Sequence, residues 1–362
     1  MKNTVLQELS EAFRALQARR YAFSWSTVRA CLMGQYALPT AVGWDALTQK
    51  YMDLGPNHKD VAAALSAAKE LYKISVRYGT RAVTTFKVGS ANAAALINAS
   101  RVLIKTDSRF KATFPYPLNG EDLKSAPFNG EIVDRRTSPE GVVRLTACCK
   151  RAYRERSEID VAQLDQDAMK ALKGFDQVIG VTCGYVQAFD AIIINPSAGT
   201  VEIHIDFSSP SPHSEGDVAV YTKYYATLLN RLIPQPDNQP NLLHRPENLF
   251  DRIQKFYDQK DGNVISLAHA TGTNSVKVER MRAKGDDLRK EPFHEEGLKA
   301  ILSTDIFAIS KAWDGEVKSV RPTIDLPGKV SLAGADDARL DYAVIQNCSC
   351  VEDFKFAMQK LN

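Results

Sequence analysis

The feature that most constrains this chain is a change of apolar period close to residue 79. Before it, apolar residues recur at helical spacing. Val5, Leu9, Phe13 and Leu16 mark one face of an opening amphipathic helix, and Val61, Leu65, Leu71 and Ile74 mark another within the Ala-rich stretch 59–77. From Thr80 the texture is β-branched, and Thr80-Arg-Ala-Val-Thr-Thr-Phe-Lys-Val88 reads as a strand. A helical pattern does not sit still as a strand, so the chain must join a helical layer to a sheet. Hairpins and helices then interleave without regular βαβ units. The expected fold class is α+β: a helical N-terminal region followed by a mixed, largely antiparallel sheet with packed helices.

Within that frame the first part holds helices at 25–33, 45–53 and 59–77, the strand at 80–88 and a helix at 91–102. Residues 106–140 are turn-rich, with Pro115, Pro117, Asn119-Gly120, Pro127, Asn129-Gly130 and Pro139. They place a boundary between a basic, mainly helical domain over 1–140 and a mixed α+β domain over 141–362. The second part reads as a strand at 141–149, a helix at 159–172 and two strands at 177–195 and 200–207. A Ser/Pro loop at 208–214 follows. The capping box Ser214-Glu-Gly-Asp217 then opens a helix reaching about residue 233. Beyond it come a helix at 247–257, a hairpin from 263–270 and 275–282, and a helix at 294–302. Strands are expected at 317–320, 330–332 and 341–345, and Ser349-Cys-Val-Glu352 caps a terminal helix.

Charge supplies the next constraint. The 362 residues carry 46 Lys and Arg against 43 Asp and Glu, but the balance is uneven. Residues 1–140 hold 19 basic and 12 acidic side chains, and the remainder holds 27 and 31, so a net +7 region precedes a net −4 region. That asymmetry points to a polyanionic partner for the first region, or to attraction between the two. The segment Arg101–Lys111 concentrates Arg101, Lys105, Arg109 and Lys111 around apolar residues. With 44% hydrophobic and 25% charged residues, the chain is neither disordered nor a linker. No apolar run approaches the roughly 20 residues of a membrane span, so no membrane role is expected. The opening segment mixes Glu8, Glu11 and Arg14 into its apolar face, unlike an export signal. Six cysteines without any CxxC fit reduced thiols in the cytoplasm.

Motifs of high specificity are absent: there is no GxxxxGK[ST] and no GxGxxG. His294-Glu-Glu-Gly297 begins like a zinc-protease helix, but Leu298 stands where the second His belongs. Ser66 and Lys69 have Ser-x-x-Lys spacing within an Ala-rich helix and no supporting motif. In Val201-Glu-Ile-His-Ile-Asp206, strand alternation aligns Glu202, His204 and Asp206 on one face. With Asp190 on the preceding strand, Asp190, Glu202 and His204 loosely imitate the acid and Glu-x-Lys layout of restriction-type nucleases. Asp190, Glu202 and Asp206 would then hold a divalent cation. A half-exposed antiparallel strand alternates in the same way by default.

Two basic clusters suit nucleic acid. In Cys148-Cys-Lys-Arg-Ala-Tyr-Arg-Glu-Arg156, Lys150, Arg151, Arg154 and Arg156 surround Tyr153. Farther on lie Arg280, Arg282 and Lys284. Val218, Tyr221, Tyr225, Leu228 and Leu232 form a short a/d seam, suited to packing on a sheet or to a dimer. These observations lead to the expectation of a cytoplasmic nucleic-acid-binding or assembly subunit acting with partner proteins. The alternative is a metal-dependent hydrolase, possibly a nuclease, on the carboxylate and His strand. A third reading is a ligand-sensing or partner-docking protein.

Overall fold

The helical period ends at Tyr78, and three residues later the chain enters a sheet. The computed structural model describes residues 2–160, 164–209, 215–272, 275–301 and 303–361. Helices α1 (Lys2–Ala18), α2 (Trp25–Gly34), α3 (Trp44–Leu54) and α4 (Lys59–Tyr78) come first. The Ser24 hydroxyl caps α2 by accepting from Thr27 N at 3.2 Å. The stripe Val61, Ala64, Ala68 and Leu71 of α4 is buried against Leu9, Phe13 and Leu16 of α1, its alanines allowing close approach.

Strand β1 (Arg81–Lys87) and α5 (Ser90–Ala99) follow, then α6 (Arg109–Thr113), α7 (Gly120–Ser125) and β2 (Glu131–Thr137). Next are β3 (Val143–Glu158), α8 (Gln166–Ala171), β4 (Ile179–Asn195), β5 (Thr200–Asp206) and α9 (Glu215–Asn230). The chain closes with α10 (Phe250–Asp258), β6 (Asn263–Thr271), β7 (Val276–Arg280), α11 (Pro292–Lys299), β8 (Thr304–Ala312), β9 (Thr323–Leu326), β10 (Ala343–Gln346) and α12 (Val351–Leu361). Residues 210–214 of the expected Ser/Pro loop, and with them the Ser214 cap, lie outside the described residues.

The strands form one antiparallel sheet in the order β2-β3-β4-β5-β1-β10-β9-β8-β6-β7. The fold is α+β. At its centre β1, α5, β4, β5, α9 and β10 make a split β-α-β-β-α-β unit. Both of its helices, through Ala93, Leu96, Val218, Tyr225 and Leu229, bury one face of the sheet. The opposite face is covered by α1 and α4 over one part and by α10 and α12 over another. The sheet crosses residue 140 without a break, because β1 lies between β5 and β10 and β2 pairs β3. The segregated unit is the helical layer before Tyr78, and the 106–140 turns connect α5 to an edge strand.

Several features depart further from the sequence expectation. β3 runs nine residues past Cys149, and the helix expected at 159–172 shrinks to Gln166–Ala171. β2 pairs β3 only as far as Cys148, and β5 pairs β4 only from Ala191 onward. The distal parts of β3 and β4 therefore continue as a two-stranded arm, in register to Glu158 opposite Ile179. The strand expected at 317–320 is not one, while β8 and β9 lie on either side of it.

Candidate nucleic-acid interface

Strand alternation places Glu202, His204 and Asp206 on one face, as expected, but that face is packed beneath helices. His204 Nε2 lies 2.9 Å from Glu202 Oε2, and its ring sits 5.6 Å from Phe354 of α12. Burial pushes the His204 imidazole below its ordinary pKa, against the pull of Glu202. Asp190 lies on the other face of the sheet. Ala191 pairs His204, so Asp190, one residue earlier, points toward α9. There it accepts from both directions: Arg151 Nη2 at 2.7 and 2.6 Å, and the Tyr225 hydroxyl at 2.9 Å.

Asp206 is saturated as well. Its carboxylate accepts from Arg19 Nη1 at 2.6 Å, from Arg19 Nη2 at 3.0 Å and from Phe189 N at 2.9 Å. Burial alone would raise this carboxyl, but the Arg19 and Arg81 guanidiniums outweigh it and hold it below its ordinary value. Arg81 in turn donates to the carbonyls of Phe189, at 2.7 Å, and of Val76. The two carboxylates thus neutralise arginines within the core. Among the described residues no group of three His, Cys, Asp or Glu side chains converges to hold a metal ion. The expected set Asp190, Glu202, His204 and Asp206 does not fit a divalent cation, because Asp190 faces away from the others and Asp190 and Asp206 are claimed by arginines.

The first basic cluster is divided by the same alternation. Arg151 is 2% exposed and belongs to the Asp190 network, with Tyr221 of α9 4.3 Å from its guanidinium. The expectation that Arg151 meets a polyanion is corrected: its charge is consumed inside. Lys150, Arg154 and Arg156 fall on the other face of the β3–β4 ribbon, paired with Gln187, Cys183 and Val181. Tyr185, Val181 and Ile179 share that face and remain exposed. Lys150 is itself only 6% exposed, so of the three cations only Arg154 and Arg156 present their charge on the surface; its Nζ donates to Lys124 O at 2.6 Å and stands 4.3 Å from the Phe128 ring and 4.6 Å from the Tyr185 ring. The two rings meet edge to face at 6.0 Å, and Phe128 is 56% exposed. Tyr153, the aromatic within the basic cluster, instead pairs Gly184 across the arm, where a Cβ would lie 2.7 Å from its ring.

Past its midpoint the arm is tied to the helical layer by Tyr21, whose hydroxyl donates to Glu155 Oε1 at 2.8 Å, with Arg20 3.5 Å from the same oxygen. Phe128 and Tyr185 were the residues missed. A period-two reading of Ile179, Val181, Cys183 and Tyr185 marks their shared face, whereas nothing in the Pro-rich turn singles out Phe128.

The second cluster is exposed on and after β7, at the other end of the sheet. Arg280, Arg282 and Lys284 lie eight strand steps from β3, roughly 35–40 Å at about 4.8 Å per step. The two clusters do not merge into one patch. Nearby, His269 Nε2 and His294 Nδ1 both bond Glu279, at 2.9 and 3.0 Å, and His294 Nε2 meets the Tyr257 hydroxyl at 2.9 Å. His294 therefore pins α11 to β7, which accounts for the partial zinc-protease match. Lys69 pairs Glu8 at 2.8 Å, away from any nucleophilic role for Ser66. The a/d seam is spent on the sheet, with Val218 and Tyr225 buried. Among the described residues no helix is long and apolar enough to cross a membrane.

No protein-family model matches the chain, and no curated protein matches it.

Proposed function

We propose that the protein is a nucleic-acid-binding subunit that holds a single strand along the β3–β4 arm and acts with partner proteins. The observation that carries this is the exposed Phe128 and Tyr185 pair with the Lys150 ammonium fixed over both rings. Single-strand binding combines aromatic platforms, on which any base stacks, with cations that follow the phosphates. Arg154 and Arg156 extend along the same ribbon face, supplying the second element. A free two-stranded ribbon is only marginally stable in water, so an arm displaying Ile179 and Val181 also suits contact with a protein neighbour. Six free thiols and the lack of specific catalytic motifs fit a non-catalytic role in the cytoplasm.

The test is fluorescence anisotropy of labelled oligouridylate and oligothymidylate with the wild type and with Phe128→Ala and Tyr185→Ala. Each substitution is expected to cost about 1–3 kcal/mol, roughly 5- to 150-fold in affinity. Wild-type affinity that is absent at low salt, or indifferent to both substitutions, refutes the proposal.

A further inference from the structure

The segment Arg101–Lys111 is not used by the arm, yet it leads directly to it. Its main chain runs beside edge strand β2: Ile104 bridges Ile132, and Lys105 N donates to Ile132 O at 2.8 Å. The segment closes that edge and turns its side chains outward. Arg101, Lys105, Arg109 and Lys111 are all exposed. Among the described residues none of the four forms an ion pair with a carboxylate, although exposed Asp107 sits between them. Half-buried Glu131 on β2 accepts from the Ser108 hydroxyl at 2.6 Å.

A chain of contacts ties this strip to the aromatic pair. Arg109 Nη1 donates to the Ser125 hydroxyl at 2.8 Å. The neighbouring residue, Lys124, offers the carbonyl that holds Lys150, which stands over Phe128 and Tyr185. Cations without carboxylate partners, placed at one end of a stacking platform, suit a sugar-phosphate backbone, whose charges repeat along one direction.

We infer that Arg101, Lys105 and Arg109 form a phosphate track, along which the strand stacked at Phe128 and Tyr185 leaves the arm and follows the β2 edge. This rests on the proposed single-strand binding and adds the path of its occupant. The track contributes charge and the platform contributes stacking, so the two separate in a salt series. Each single-strand phosphate contact adds about 0.7 to the slope of log affinity against log salt. Three contacts correspond to a slope of roughly 2, and to roughly 50-fold in affinity at physiological salt.

The experiment measures oligouridylate anisotropy between about 50 and 200 mM salt for wild type, Phe128→Ala and the triple variant Arg101→Gln, Lys105→Gln, Arg109→Gln. All three substituted side chains are exposed, and a circular dichroism melt confirms folding. The glutamines retain most of the packing, including a hydrogen-bond donor for Ser125. The expected result is a slope shallower by roughly 2 in the triple variant, against an unchanged slope with weaker binding in Phe128→Ala. An unchanged slope in a folded triple variant, while Phe128→Ala still weakens binding, overturns the track and leaves the platform standing. Absence of wild-type binding overturns the platform reading itself.

Discussion

Asp206→Asn tests how the interior under the arm is held together. The wild-type carboxylate accepts two bonds from Arg19 and one from Phe189 N, and it lies opposite Arg81 in the sheet. Asparagine keeps the shape and one acceptor oxygen, but its amide nitrogen presents hydrogens to a guanidinium and the negative charge is gone. Arg19, 3% exposed, and Arg81, 0% exposed, are then left without that countercharge. Removing one partner of a buried ion pair costs about 3–5 kcal/mol; the retained acceptor places Asn at the lower end, about 3 kcal/mol.

Urea denaturation followed by tryptophan fluorescence measures the effect as a lower midpoint at unchanged slope. The double replacement Arg19→Met with Asp206→Leu is expected to recover only part of the loss, because it removes the Arg19 charge but leaves Arg81 buried without Asp206 opposite it. An Asp206→Asn midpoint corresponding to less than about 1 kcal/mol refutes the claim that this pair organises the core. The pH dependence has a definite sign. Asp206 has a folded pKa below its unfolded value, so its contribution is full above the unfolded pKa of about 4 and is lost as pH falls through the folded value. Wild-type stability should fall in that acid range, and Asp206→Asn should flatten the fall.

Further outcomes follow from the same geometry. Gly130→Ala would drive a Cβ into the Tyr225 ring, 2.9 Å from Cζ, where Tyr225 is fixed by Asp190, and should destabilise by about 1–3 kcal/mol in the same urea assay. Tyr225→Phe should cost about 1.5–3 kcal/mol by withdrawing a donor from a buried carboxylate. Chelators should leave oligonucleotide affinity unchanged, and Glu202→Ala should not alter any response to divalent cations beyond that of ionic strength. Arg280→Ala with Arg282→Ala should leave short oligonucleotides unaffected, since those residues lie roughly 35–40 Å from the arm.

How much of this was legible in the sequence depends on whether the deciding contact is local. Helices α2, α3 and α4 fall within one or two residues of the expected bounds, because spacing, capping Ser24 and the Gly79 stop are all local signals. β4 and β5 were legible from their β-branched runs. β2 was hidden because an edge strand needs little apolar character, and Asp134, Arg135 and Arg136 dominate it. β8 was obscured by Lys311, which reads as a surface residue. It is wholly buried, with its ammonium donating to Phe256 O and Gln259 O at 2.9 and 2.8 Å at the end of α10.

The site follows the same rule. Lys150, Arg154 and Arg156 were legible as a basic cluster. Arg151 was not separable from them, because its partner Asp190 lies 39 residues away and only the β3–β4 register brings the two together. Asp190 and Asp206 resembled metal ligands for the same reason, since the arginines that claim them come from β3 and from the end of α1.

Binding of a single strand at the arm is tested most directly by ultraviolet crosslinking of bound oligouridylate to the protein, with the adducts located by peptide mass spectrometry. Adducts are expected on peptides containing Tyr185 or Phe128, reduced when the matching ring is replaced by alanine. Adducts confined to the β7 region around residues 276–290, or none despite saturating binding, would contradict it.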